Sequence, residues 1–148
     1  ILAITIAELK EQYYLGNNSF KFYPNALKLI DMLQSRFKLG LVSGASSKRL
    51  KKTVPKDFFK KFSIVITSDS VKNSKPHPEP YLLAGKTLSV APMDCLVIEN
   101  APLGIKSAKM AGMDCIAVCS TLERKFLVEA DFIVKDIEAL IIFFNNFQ

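Results

Sequence analysis

Several features that define common protein classes are scarce in this sequence of 148 residues. Its three cysteines, Cys95, Cys115 and Cys119, are odd in number and lie in or beside apolar stretches. This placement is typical of reduced cysteines and does not favour a disulfide framework. The only histidine is His77, which also disfavours a zinc site. With 49% apolar residues, the chain is expected to form one hydrophobic core.

Long apolar runs are missing as well. The longest, residues 1–6 and 139–144, fall far short of the roughly 20 residues that span a bilayer. No basic stretch leads into an apolar run with a small-residue cleavage site, as a secretory signal would require. We therefore expect no membrane partner and, by default, a cytoplasmic protein.

Acidic residues are fewer than basic ones: 14 Asp and Glu stand against 20 Lys and Arg, a net charge of +6. Such a balance favours anionic partners, and both phosphate esters and nucleic acid qualify. The densest basic cluster, residues 48–61, is spaced around Leu50, Val54 and Phe58 like the exposed face of short helices. Because no aromatic platform or recognition motif accompanies it, we expect no nucleic-acid binding.

Short apolar runs alternate with helical patterns along the chain. The predicted strands are Leu39–Ser43, Ser63–Thr67, Cys95–Glu99, Cys115–Val118 and Phe132–Val134. The predicted helices are Asn25–Phe37, Pro78–Leu88, Pro102–Ala111, which Gly112 ends, and Ile137–Phe147. This alternation predicts an α/β fold with a doubly wound parallel sheet, whose ligands bind beyond the carboxyl ends of its strands. Before it, residues 6–15 form a predicted helix and residues 16–19 a linker.

Ser43 ends one of these predicted strands and is followed by Gly44 and Ala45. A serine hydroxyl there can donate to a phosphoryl oxygen, and the backbone N–H groups of the next two residues can turn toward the same anion at a helix start. Serine at such a place is also a common helix cap. Both interpretations of Ser43 stay open on its position alone.

Lys75 lies in a loop with prolines at positions 76, 78 and 80, which restrict its backbone. A rigidly held ammonium suits phosphoryl transfer, because charge on the nonbridging oxygens needs preorganised cations. The alternative is a solvated surface lysine, as Lys72 is expected to be. Only the Lys-Pro-x-Pro pattern selects Lys75 over Lys72.

Glu99 and Asn100 end an apolar strand just before Pro102. A carboxylate at the mouth of a sheet is costly to bury unpaired, and a hard cation such as Mg²⁺ would compensate it. An acid that complements a helix N-terminus is the alternative interpretation of Glu99.

Three segments, taken in order, resemble the haloacid dehalogenase superfamily of phosphatases and phosphomutases, in particular its β-phosphoglucomutase-like branch. They are Leu-Val-Ser-Gly-Ala-Ser at 41–46, Ser-Lys-Pro-His-Pro-Glu-Pro-Tyr at 74–81, and Val-Ile-Glu-Asn-Ala-Pro-Leu-Gly-Ile from 97, running on to Met113. The resemblance covers about residues 22–136. It implies a Rossmann-like core over residues 21–148, with residues 1–20 as the last helix and hinge of a helical cap.

The resemblance also implies a function and a site. The function is magnesium-dependent hydrolysis of a small phosphorylated metabolite, or phosphoryl transfer to or from one, through an aspartyl-phosphate. Ser43 and Lys75 would be catalytic and, with Gly44 and Ala45, would bind the substrate phosphoryl group. Glu99 and Asn100 would hold Mg²⁺, although the family usually has two acids where this sequence has an acid and an amide.

A larger departure from the family is the absence of the Asp-x-Asp element that carries its nucleophile. No Asp-x-Asp occurs in the 148 residues. The family places that strand between those predicted at 39–43 and 95–99. An upstream segment or a second chain would therefore have to supply it, and we expect the chain alone to be inactive. The alternatives are an inactive phosphate-binding or interaction module of the same fold, and a basic nucleic-acid-binding fragment.

Overall fold

The computed structural model describes residues 20–146. The helix predicted over residues 6–15 and the linker over 16–19 lie outside the described residues. The assignment of residues 1–20 to a helical cap lies outside them too, apart from Phe20. Within residues 20–146, no helix is long and apolar enough to cross a membrane.

Strands and helices alternate along the described chain, as the sequence predicts. The strands are β1 Gly40–Val42, β2 Ile64–Ile66, β3 Leu96–Glu99, β4 Asp114–Val118 and β5 Phe132–Val134. The α-helices are α1 Ala26–Gln34, α2 Ser47–Thr53, α3 Lys56–Phe59, α4 Glu79–Leu88, α5 Pro102–Met110 and α6 Ile137–Asn145. Single 3₁₀ turns lie at Ser68–Ser70, Pro92–Asp94 and Arg124–Phe126.

All strand pairs are parallel, but they form two ladders. β1 pairs with β2, and β4 pairs with β3 on one side and β5 on the other. Among the described residues, no strand pairs with the remaining edge of β1 or of β3. Residues of both strands instead line a common groove of about 670 Å³. The parallel α/β fold is confirmed, with its sheet divided at this groove.

Helices cover both faces of the sheet, which is what doubly wound means. Cys115 and Ala117 of β4 pack in one buried cluster with residues of α4 and α5. The alternate residues, Ile116 and Val118, pack in a second cluster with residues of α1 and α6. Because both faces are buried, β4 is an uninterrupted apolar run from Cys115 to Val118 rather than an alternating one.

The elements are shorter than predicted at several ends. The helix predicted to reach Phe37 ends at Gln34, although the Phe37 N–H still donates to the Leu33 carbonyl (2.9 Å). β1 ends at Val42, yet the Ser43 N–H continues the ladder by donating to the Ile66 carbonyl (2.9 Å). The predicted stop after α5 is confirmed, since Gly112 has a φ of +73°, a conformation that favours glycine.

Candidate functional site

Lys75 links the carboxyl ends of β1 and β3. Its ammonium contacts the Glu99 carboxylate at Oε1 and donates to the Val42 carbonyl, 3.4 Å away. Only 16% of the Lys75 side chain and 10% of the Glu99 side chain are exposed. The structure therefore brings together two predicted site residues, one on a loop and one at the end of β3, and it places the ammonium at the carbonyl of Val42, the residue before Ser43.

The Glu99 carboxylate is held by hydrogen bonds at both oxygens. Oε1 accepts from the Tyr81 hydroxyl (2.8 Å) as well as from Lys75. Oε2 accepts from the backbone N–H groups of Asn100 (2.9 Å) and Ala101 (3.2 Å). Burial raises the pKa of Glu99, but the Lys75 charge and these hydrogen bonds outweigh burial and hold the pKa below its ordinary value. Glu99 is thus an ionised, buried carboxylate.

The loop that carries Lys75 is fixed from both sides. The buried Ser107 hydroxyl of α5 donates to the His77 carbonyl (2.6 Å). The Glu79 carboxylate accepts from the backbone N–H groups of Lys72 (2.9 Å) and Asn73 (3.0 Å). In contrast to Lys75, Lys72 is exposed. The proline-flanked lysine is therefore the one that this loop turns toward the sheet.

Ser43 does not cap the following helix. Ser46 does so, because its hydroxyl accepts from the Arg49 N–H (3.2 Å) at the start of α2. The Ser43 hydroxyl instead accepts from the Ala45 N–H (3.1 Å). That N–H, which we expected to face an anion, thus bonds within its own loop, while the hydroxyl keeps its proton to donate.

The Asn100 side chain forms hydrogen bonds with the loop after β4. Its side-chain amide donates to the Ser120 hydroxyl (3.0 Å) and, at 3.5 Å, to the Thr121 hydroxyl. Within residues 20–146 its amide oxygen accepts no hydrogen bond. An amide oxygen beside a carboxylate at the end of a strand is a donor set that suits Mg²⁺ in kind.

These residues offer few oxygen ligands for Mg²⁺, however. Both oxygens of Glu99 already accept hydrogen bonds, and the described residues hold no cluster of three or more His, Cys, Asp or Glu that could enclose a metal. The residues fit Mg²⁺ as one side of a site that needs further oxygen ligands.

Tyr81 belongs to this site although the sequence did not single it out. It lies near the start of α4, is 6% exposed, and places its ring centroid 4.8 Å from the Lys75 ammonium nitrogen. Burial raises the pKa of Tyr81, and the charge of Glu99 raises it further, so the hydroxyl stays protonated and donates. The only signal in the sequence is that Tyr81 ends the segment that begins at Ser74.

Asp69 joins the loop after β2 to the start of α2. Its carboxylate accepts from the Ser47 N–H at 3.0 and 3.3 Å and contacts the Thr67 hydroxyl. The Thr67 hydrogen bond, followed by that of Ser47, lowers the pKa of Asp69. The hydrogen bonds of Asp69 thus hold the loop after β2 against the start of α2 and do not involve Lys75 or Glu99.

The fold and the site define an α/β protein with a buried lysine–carboxylate pair at the carboxyl edge of a parallel sheet. A sequence profile of the haloacid dehalogenase-like hydrolase family matches residues 2–118, and the chain belongs to that family. It is 36% identical over 114 residues to a validoxylamine A 7'-phosphate phosphatase of Streptomyces hygroscopicus, covering 76% of this chain and 54% of that protein. It is 34% identical over 125 residues to a phosphorylated carbohydrates phosphatase of Thermotoga maritima, covering 82% and 58%.

The fold comparison agrees with the sequence comparison. The crystal structure of a β-phosphoglucomutase from Clostridium difficile superposes with a TM-score of 0.74 at 28% identity, covering 97% of this chain and 67% of that one. The chain thus spans little more than half the length of the two phosphatases.

Proposed function

We propose that the whole protein is a magnesium-dependent phosphatase or phosphomutase that acts on a small phosphorylated metabolite of the carbohydrate kind. The observation that carries this proposal is the Lys75 ammonium, buried against Glu99 and aimed at the end of β1 beside Ser43. The phosphorylated carbohydrates phosphatase among its relatives supports the substrate class, and the validoxylamine A 7'-phosphate phosphatase supports a small phosphate ester as substrate. A cytoplasmic location is part of the proposal, and the three free cysteines support it.

In this proposal the chain binds the phosphoryl group and balances its charge. The Ser43 hydroxyl donates to one phosphoryl oxygen, and Lys75 faces another with a fixed positive charge. Gly44 and Ala45 are small, so the backbone of this loop can approach the phosphoryl group closely, although the Ala45 N–H itself donates to the Ser43 hydroxyl. Glu99 holds the Lys75 ammonium in place through their ion pair, so that no rearrangement is needed when the phosphoryl charge shifts.

Magnesium belongs to the proposal as the resident cation. Bound Mg²⁺ supplies positive charge to the phosphoryl oxygens. In this chain Asn100, through its amide oxygen, and Glu99 are the residues that would face it. The remaining ligands would come from the segment that also brings the nucleophile.

We further propose that the groove between β1 and β3 receives one parallel strand from an upstream segment or a second chain, and that this strand ends in Asp-x-Asp. Its neighbours would be Leu41 and Val42 on one side and Leu96 and Ile98 on the other, all of which line the groove. Leu96 and Ile98 are 43% and 39% exposed, which is unusual for a strand inside a sheet. The strand would end beside Lys75, where the ammonium would attract its carboxylates.

The first test is binding of inorganic phosphate to the 148-residue chain in the presence of Mg²⁺, measured by calorimetry. Lys75→Ala should weaken binding by roughly tenfold or more, the size of one charge-assisted hydrogen bond. The matched control Lys72→Ala removes an exposed lysine of the same loop and should change the affinity by less than about twofold. Equal losses from the two substitutions would contradict the proposed role of Lys75.

Hydrolysis separates the enzyme from an inactive phosphate-binding module of the same fold. The module would bind phosphate through Lys75 but would show no turnover when an Asp-x-Asp strand is supplied. An enzyme would hydrolyse a phosphomonoester under the same conditions.

A further inference from the structure

Tyr81 contacts both members of the buried ion pair. Its hydroxyl donates to Glu99 Oε1 (2.8 Å), the same oxygen that Lys75 contacts. Its ring face lies under the ammonium, with 4.8 Å between the Lys75 nitrogen and the ring centroid. At that distance a desolvated ammonium is attracted by the aromatic face.

The ring itself has little freedom to move. Tyr81 is 6% exposed and packs in the buried cluster that contains Ile105 and Ala108 of α5 and Val97 of β3. Tyr81 is therefore a fixed support, whereas Lys75 and Glu99 are flexible side chains that depend on their surroundings for orientation.

Without Tyr81, the position of Glu99 Oε1 would be only weakly fixed. Oε2 is anchored by the backbone N–H groups of Asn100 and Ala101. Oε1 would be held by Lys75 alone if the hydroxyl were absent, and two flexible partners fix each other poorly. With the hydroxyl in place, Oε1 has a donor on a rigid ring.

We propose that Tyr81 is a positioning residue of this site: its hydroxyl fixes the Glu99 carboxylate and its ring supports the Lys75 ammonium, so that the ammonium stays aimed at the end of β1. The inference deepens the proposed function, since the positioned group is the one proposed to bind the phosphoryl oxygens. Tyr81 itself does not contact the substrate.

The test measures how fast each lysine is acetylated by an N-hydroxysuccinimide ester at micromolar protein, with peptide mass spectrometry as the readout. In the wild-type chain Lys75 should react roughly tenfold more slowly than exposed Lys72, because its ammonium is bound. Tyr81→Phe, which keeps the ring, should speed Lys75 acetylation by roughly three- to tenfold, the loss expected for one hydrogen bond of ordinary net strength, since the Val42 carbonyl and Glu99 still hold the ammonium. The control Tyr23→Phe changes an exposed tyrosine and should leave every rate as it is.

Lys109 distinguishes positioning from general stability. It pairs with Asp131 rather than with a residue of the site, so its rate should stay unchanged in Tyr81→Phe. An unchanged or slower Lys75 rate overturns the proposal. Equal acceleration of Lys75 and Lys109 overturns it too, because Tyr81 would then support the whole fold rather than the ion pair.

A phosphate arm of the same experiment tests the proposed function separately. Inorganic phosphate with Mg²⁺ should slow Lys75 acetylation further in the wild-type chain and leave Lys72 unaffected. If phosphate gives no protection while Tyr81→Phe still speeds Lys75, the phosphoryl site is wrong and the positioning role of Tyr81 stands. If phosphate protects Lys75 but Tyr81→Phe does not change its rate, the phosphoryl site stands and the positioning role of Tyr81 is wrong.

Discussion

At the scale of single residues, the Glu99 carboxylate lies so close to Gly104 that it leaves no room for a side chain there. A Cβ atom added to Gly104 would lie 1.9 Å from Glu99 Oε1 and 2.1 Å from its carboxyl carbon. The carboxylate thus occupies the space that any side chain at position 104 would fill. Glycine is required there for close approach rather than for an unusual backbone angle.

Gly104→Ala should therefore displace Glu99 and destabilise the fold by about 1–3 kcal/mol, the usual cost of forcing atoms into a packed site. Thermal and urea unfolding would measure the change. Gly44→Ala is the matched control for stability, because an added Cβ there meets nothing within 4 Å. A Gly104→Ala chain as stable as the Gly44→Ala chain would show that Glu99 can relocate without cost.

Asn100 offers a second prediction at this scale. Asn100→Asp adds a carboxylate beside the proposed magnesium site, and hard cations prefer charged oxygen ligands. The new carboxylate can still accept hydrogen bonds from the hydroxyls of Ser120 and Thr121, which now accept from the amide. We expect Mg²⁺ to bind more tightly to the Asp form in calorimetric titrations. Equal or weaker affinity would mean that position 100 does not face the metal.

Single residues also show how far the sequence can predict such a site. Lys75 and Glu99 are predictable because each lies in a motif with a proline or a strand end beside it. Their pairing is not, since 24 residues separate them and only the folded sheet brings them together. Tyr81 has no motif signal of its own, because its role depends on which way the first turns of α4 face.

At the scale of elements, one hydrogen-bonded group ties α5 to the strands β4 and β5. Asp131, just before β5, pairs with Lys109 of α5 (2.7 Å) and accepts from the Cys115 N–H of β4 (2.8 Å). The Lys109 hydrogen bond, which outweighs burial, lowers the pKa of Asp131 below its ordinary value of 3.8. The ionised form of Asp131 is thus favoured in the folded state.

The sign of the resulting pH dependence follows from linkage. A carboxyl group whose pKa is lower in the folded than in the unfolded state stabilises the fold above the unfolded pKa, and this stability is lost as the pH falls through the folded pKa. Asp131→Asn should lower stability at pH 7 and flatten the loss of stability below about pH 4, as measured by urea unfolding at several pH values. Asp57→Asn, which breaks an exposed pair with Lys60, should leave the profile unchanged. If the Asp131→Asn chain still loses stability steeply at low pH, groups other than Asp131 cause that loss.

The elements themselves are largely predictable from the sequence, for a physical reason. Strands such as β4 are buried on both faces and therefore have apolar runs bounded by polar or small residues, and Gly112 marks the end of α5. The ends of the elements are less predictable: residues such as Phe37 and Ser43 keep one backbone hydrogen bond after the regular geometry has stopped. Such borderline residues are decided by packing, which a local pattern does not contain.

At the scale of the whole molecule, the division of the sheet is the dominant feature. An unpaired strand edge exposes a row of N–H and C=O groups that can pair with another chain. Among residues 20–146, two edges have no strand partner, those of β1 and β3, and both strands line one apolar groove. The parallel direction of the strands could be predicted, since helices connect them and a helical crossover joins parallel strands. The groove was expected only through the family resemblance, because a missing strand leaves no local pattern.

The groove leads to a prediction about the isolated chain. We expect the 148-residue chain to self-associate and to show no phosphatase turnover, because the edges of β1 and β3 find no strand partner among residues 20–146 and the sequence contains no Asp-x-Asp to bring a carboxylate to Lys75. Supplying an upstream segment with the Asp-x-Asp strand should give a monomeric complex with magnesium-dependent hydrolysis of a generic phosphomonoester. Light scattering and a phosphate-release assay would measure the two effects.

A control segment with Asn-x-Asn in place of Asp-x-Asp separates folding from chemistry. It should fill the groove and suppress self-association, since its backbone and apolar side chains are unchanged, but it should restore no hydrolysis because it brings no nucleophilic carboxylate. Hydrolysis with the Asn-x-Asn segment would reject the aspartyl-phosphate route. A cooperatively folding monomer of the 148-residue chain, with turnover of its own that Ser43→Ala and Lys75→Ala abolish, would show that neither the open groove nor an external nucleophile describes this protein.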